Sequence, residues 1–126
     1  MHFLCLAYEE EGVLNALNEH EWETLKRETQ AYVQALEAKG HMVLTRALES
    51  VTTARTVRIR NDKLLATDGP FAETKETLGG FFFIEARDMD EAVRIAAGWP
   101  SARFGSIEVR PTLDALRSGS RYGQPV

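Results

Sequence analysis

The sequence predicts an α+β domain in which a four-stranded antiparallel sheet carries two helices on one face. Three observations lead there. Runs rich in strand formers occur at 2–8 (HFLCLAY), 81–86 (FFFIEA) and 106–110 (SIEVR). Two segments with apolar residues at helical spacing lie between strand candidates, each opened by a capping signature. The order strand, long helix, strand, inserted hairpin, strand, helix, strand makes two βαβ-like halves, and right-handed crossovers place both helices on the same side. This is the ferredoxin-like plan.

The first run is almost wholly apolar, as a central strand covered on both faces should be. A connection over 9–18 holds a loose helical turn around Val13, Leu14 and Leu17. Asn18 with Glu21 three residues later suits a capping box. Trp22, Leu25, Thr29, Tyr32 and Leu36 then form one stripe along a long helix, and Gly40 ends it. A second strand is expected at 41–48 (HMVLTRAL). Residues 56–60 (TVRIR) alternate strictly, Asn61-Asp62 make a turn and 63–66 (KLLA) return, so a hairpin is expected with Val57 and Ile59 facing inward. After the loop closed by Gly79-Gly80 comes the 81–86 strand. Asp88 and Glu91 start a second helix as another capping box; Met89, Ala92, Val93 and Ala96 supply its apolar face, and Gly98 and Pro100 stop it. The last strand turns Ile107 and Val109 in, Glu108 and Arg110 out. The domain is expected over 1–111 and a tail over 112–126, patterned only by Leu113 and Leu116 and mobile from Ser118-Gly119-Ser120 onward.

The sheet's second face shapes the assembly. Alternation puts Phe82 and Ile84 on one side of their strand and Phe81 and Phe83 on the other, and two helices cover only one side. A helix-free face of Phe and Leu is a patch large enough to drive association. A homodimer, sheet against sheet, or a higher homo-oligomer is therefore expected.

Composition narrows the function classes. At 126 residues, 44% hydrophobic and 27% charged, the chain fits one globular domain. A net charge of −4 opposes general binding to nucleic acid, with Arg55, Arg58 and Arg60 the one basic strip. The single Cys5 excludes an internal disulfide and reads as core filler. No run approaches a membrane span and the start is unlike a signal peptide, so a cytoplasmic protein is expected. His2, His20 and His41 lack metal-ligand spacing, and no phosphate loop, nucleophile triad or dinucleotide fingerprint occurs, so neither metal nor cofactor is expected.

One segment carries candidate chemistry: TDGPFAETKE at 67–76. Its loop, 68–80, is longer than a hairpin needs. Asp68, before Gly69-Pro70, is placed to accept the turn's own amide hydrogens, and desolvation by Phe71 would raise its pKa toward that of a general acid or base. The strand after the loop should run antiparallel to the first, bringing the loop near Tyr8 and Glu9. Asp68 is thus the candidate catalytic residue, and Tyr8, His20, Thr74, Lys75 and Glu76 are candidate ligand-binding residues. Against this stands a plain structural role, with Asp68 capping the turn and Glu73, Lys75 and Glu76 forming a solvated or subunit-bridging charge cluster. Glu85, Glu108 and Arg110 similarly divide between lining a barrel interior and making interstrand ion pairs.

TDGPFAETKE, followed by LGGFFFIEARDMDEA and the SIEVRP strand, resembles the DGPF branch of the YCII-related proteins. The resemblance runs from His2 to Pro111. It implies a dimeric α/β barrel and, for some members, linkage to extracytoplasmic-function sigma factors. The wider superfamily holds isomerases, monooxygenases and haem enzymes, so the fold selects no chemistry. Core YCII-related proteins carry a helix histidine proposed as half of an acid–base pair; here that position falls near Thr29. The resemblance and the residues together suggest a small polar or aromatic metabolite bound beside the loop, with cofactor-free acid–base chemistry. The alternative is a non-catalytic accessory or interaction module.

Overall fold

The computed structural model describes residues 1–113. The expected features at Leu116 and Ser118-Gly119-Ser120 lie outside the described residues. The order of elements is β1 (His2–Glu9), α1 (Glu11–Asn15), α2 (Glu19–Ala38), β2 (Met42–Ala47), β3 (Arg55–Arg60), β4 (Lys63–Asp68), β5 (Thr77–Glu85), α3 (Met89–Ala97) and β6 (Ser106–Pro111). Short 3-10 turns occupy Val51–Thr53 and Pro100–Arg103. The main sheet has the order β2-β5-β1-β6, every neighbouring pair antiparallel, as the double βαβ reading requires.

The core forms where the helices meet the sheet. Phe3, Cys5, Phe82 and Ile84 are fully buried there, against Leu36 of α2 and Ala92, Ile95 and Ala96 of α3. Phe82 stacks on Trp99 with ring centroids 4.1 Å apart, and Tyr32 meets the same indole edge-on at 6.2 Å. Burying a large apolar side chain contributes roughly 1.5–3 kcal/mol, so this cluster dominates the fold's stability. Burial pushes the Cys5 thiol up to about 12, as expected of an unreactive core residue.

Both helix starts follow their sequence signatures, with one difference. Asn18 accepts from the Glu21 amide at 2.8 Å and Glu21 returns the bond to the Asn18 amide at 3.0 Å. At α3, Asp88 accepts from the Glu91 amide at 2.9 Å, but Glu91 reaches one residue further back, to the Arg87 amide at 2.8 Å.

Several expectations need correction. β5 begins at Thr77, so Gly79 and Gly80 lie inside a strand and do not close a loop. Their lack of a side chain lets β2 approach: a Cβ on Gly80 would stand 2.9 Å from the Arg46 carbonyl oxygen. The hairpin β3–β4 forms with a two-residue turn, Asn61 and Asp62 both at positive φ. Among the described residues it pairs only with itself, however, and Val57 and Ile59 are 62% and 59% exposed. Alternation sets them on one face, and among the described residues that face has nothing to pack against. Finally, Glu108 and Arg110 pair along one strand instead of across strands, whereas Glu85 does pair across strands, with His2 at 2.6 Å, and also with the N-terminus.

Candidate functional site

The strand β1 reverses its environment at its end. Phe3, Cys5 and Ala7 point into the helix-covered core, and Glu9 continues that face beyond the last packed residue. There the sheet and α2 part to leave a cavity of about 730 Å³. Its sheet side is formed by Ala7, Thr45, Gly79 and Gly80, and its helix side by Trp22, Leu25, Thr29 and Val33. Trp22, at 43% exposure, stands toward solvent, whereas Trp99 and Ser101 are buried. The cavity therefore has an open aromatic end and a closed end.

Most polar groups around it are already engaged. Thr29 donates to the Leu25 carbonyl at 2.8 Å and Thr45 to the Phe81 carbonyl at 2.9 Å. Glu11 accepts from the Val51 amide at 2.8 Å and the Ser50 hydroxyl at 2.9 Å, tying α1 to the turn before the hairpin. Lys26 pairs with Glu23 at 3.2 Å. Glu9 is different. Burial raises its carboxyl pKa above the ordinary 4.5, and the nearby Ser101 hydroxyl opposes that shift only in part. Ser101 Oγ itself makes no hydrogen bond of good geometry among the described residues.

The six residues expected to form a site are distributed otherwise. Asp68 closes β4, its carboxylate 91% exposed and 3.4 Å from the Arg55 guanidinium. Of the turn's own amides, that of Gly69 donates to the Ala54 carbonyl at 2.8 Å. Phe71, expected to desolvate Asp68, is 79% exposed. Thr74 donates to the Glu76 carbonyl at 2.5 Å, Glu76 accepts from Ser106 at 2.8 Å and Lys75 pairs with Glu10 at 3.4 Å. These three cluster at the sheet end, close to where the register sets Glu9 opposite Thr77. Tyr8 leaves β1 on the helix-free face, and His20 lies exposed at the start of α2. None of the six lines the cavity.

Glu9 was the residue sequence reasoning passed over, although the signal was present. If Phe3 and Cys5 face the helices, period-two alternation turns Glu9 inward and Tyr8 outward. Thr29, where the related histidine would fall, does line the cavity.

A profile of the YCII-related domain matches residues 1–115. The chain belongs to the YCII-related family. An uncharacterized protein of Rhizobium meliloti is 35% identical to this YCII-related chain over 113 residues, covering 88% of the chain and 91% of the relative. Among solved structures, the fold is similar to that of 5-chloro-2-hydroxyhydroquinone dehydrochlorinase from Burkholderia phenoliruptrix, solved with 2,5-dihydroxybenzoquinone. That likeness has a TM-score of 0.53 at 17% identity and covers 90% of this chain and 94% of the other. At that identity it speaks for the fold alone. No helix among the described residues is long and apolar enough to cross a membrane.

Proposed function

We propose that this YCII-related protein binds a small polar or aromatic metabolite in the cavity between α2 and the sheet, and performs cofactor-free acid–base chemistry there. The carrying observation is Glu9, a carboxylate with a raised pKa at the wall of a largely apolar cavity. Such a group holds a proton more readily than a solvated carboxylate and returns it to a bound molecule. In this reading Glu9 takes the role expected of Asp68, whose carboxylate is held in solvent by Arg55. The quinone in the structural neighbour is compatible with an aromatic ligand here. Lys75 and Glu76 act from the sheet end, by ordering the segment that leads into β5.

The assembly proposed is a homodimer closed over the helix-free face. Leu4 and Leu6 of β1 lie in register with Phe83 and Phe81 of β5 on that face, only half-buried in one copy. The free-standing hairpin supports the second reading, an interaction module, because an isolated two-stranded hairpin is only marginally stable.

Calorimetric titration with 2,5-dihydroxybenzoquinone, beside a variant whose cavity is filled by Thr29→Trp, tests the ligand reading. Saturable binding that weakens at least tenfold in the filled variant is expected. Binding unaffected by Thr29→Trp, or none at all, would favour the interaction module.

A further inference from the structure

Glu9 and Ser101 reach the cavity from different directions. Glu9 ends β1, while Ser101 lies in the 3-10 turn between α3 and β6. They converge at the closed end, where Ala7, Trp99 and Gly80 supply an apolar surround. Ser101 is 94% buried by its 6% exposure, and apart from its approach to the Glu9 carboxyl its hydroxyl has no hydrogen-bond partner among the described residues. A buried hydroxyl left unpaired is costly and is rare in native structures. Two glycines keep room around the carboxylate. A Cβ on Gly79 would stand 3.0 Å from Glu9 Oε2, and one on Gly105 would stand 3.3 Å from Glu9 Cγ and collide with the Tyr8 carbonyl. Of the other hydroxyls and acids of the cavity wall, Thr29, Thr45, Ser50, Thr77 and Glu11 are bonded to neighbouring protein groups.

We infer that Glu9 and Ser101 form a polar reading end that takes an oxygen substituent of the ligand, a ring hydroxyl or carbonyl, so that the cavity selects oxygenated rings over hydrocarbon rings of equal size. This deepens the ligand reading above and rests on it. The chemistry of the pair sets the class. A serine hydroxyl both donates and accepts, and a carboxyl group accepts when ionised and can also donate when protonated. Together they match a neutral hydroxyl or carbonyl, whereas a ligand carboxylate would have to give up its hydration beside an acidic side chain in an apolar surround. A ring that lacks the oxygen leaves Glu9 and Ser101 only each other in an apolar surround and their remaining hydrogen-bonding capacity unmet, a condition under which hydrogen-bonding sites discriminate against the analogue. The open end needs only a face to lie against, which Trp22 supplies.

The test compares 2-naphthol with 2-methylnaphthalene, which differ by one hydroxyl in place of one methyl. Their dissociation constants are measured by calorimetry for the wild-type chain and for Ser101→Ala and Glu9→Gln. The wild type should bind 2-naphthol at least tenfold more tightly. Ser101→Ala should reduce that preference below threefold while leaving 2-methylnaphthalene affinity within twofold. Should Ser101→Ala fail to fold, as judged by circular dichroism, Glu9→Gln carries the test by lowering the preference at least threefold. Equal wild-type binding of both probes overturns the pair and leaves the cavity standing; so does a preference that survives both substitutions. Binding of neither probe overturns the cavity reading and this inference with it.

Discussion

The Glu9 carboxylate lies against the backbone of Gly79, so close that a side chain there would have to displace it. The next residue makes an instructive contrast. At Gly79 a new methyl meets the flexible end of a side chain, whereas at Gly80 it meets the Arg46 carbonyl at 2.9 Å, which is backbone in a neighbouring strand. Gly79→Ala should therefore leave denaturant stability within about 0.5 kcal/mol but weaken 2-naphthol binding several-fold by moving Glu9. Gly80→Ala should lose about 1–3 kcal/mol by overpacking. Chemical denaturation and calorimetry on the two variants check both halves.

Glu9 also links stability to pH. Its folded pKa is raised above 4.5 by burial, so the folded chain holds the proton more tightly than the unfolded one. The contribution is fully present below the unfolded value and is lost as pH rises through the folded value. Replacing Glu9 by Gln removes the titration. Compared with wild type, the variant should show a flatter Tm from pH 4.5 upward, and parallel Tm curves would count against a buried carboxyl.

Tyr32 joins the two helices. Its hydroxyl donates to the Ile95 carbonyl at 2.5 Å, near the end of α3, and Gly98 lies so close that any Cβ would strike the phenol. Tyr32→Phe keeps the edge-on contact with Trp99 and removes only the hydrogen bond, so a loss of about 1 kcal/mol is expected in urea unfolding.

The helix-free face supports a prediction about assembly. Leu6 sits between Phe81 and Glu108 in the register of the sheet. Leu6→Arg should convert a dimer at micromolar concentration to a monomer in analytical ultracentrifugation, with the far-ultraviolet spectrum retained. A wild-type chain that sediments as a monomer would remove the barrel. The exposed hairpin face of Val57, Ile59 and Leu64 would then need a different partner.

Strand order and helix positions were legible because alternation and capping are local signals. Phe82 and Ile84 against Phe81 and Phe83, or Asn18 with Glu21, can be read within a few residues. The hairpin's register was legible for the same reason, but its burial was not. Whether Val57 and Ile59 are covered depends on what surrounds the hairpin, and alternation states only that they share a face. The site divided along the same line. Topology correctly brings the residues before Phe81 beside Tyr8 and Glu9, but the distinctive turn at Asp68-Gly69 holds a carboxylate that is exposed. The cavity arises where α2 diverges from the sheet, a long-range relation between Trp22, Thr29 and Gly79 that no short window contains.

A crystal structure of the chain grown with 2-naphthol would examine the central claim most directly. The naphthalene ring is expected between α2 and the sheet, near Trp22, with its hydroxyl within hydrogen-bond reach of Glu9 and Ser101. A ring bound at the Asp68 turn or on the hairpin, with the cavity closed by its own side chains, would contradict it.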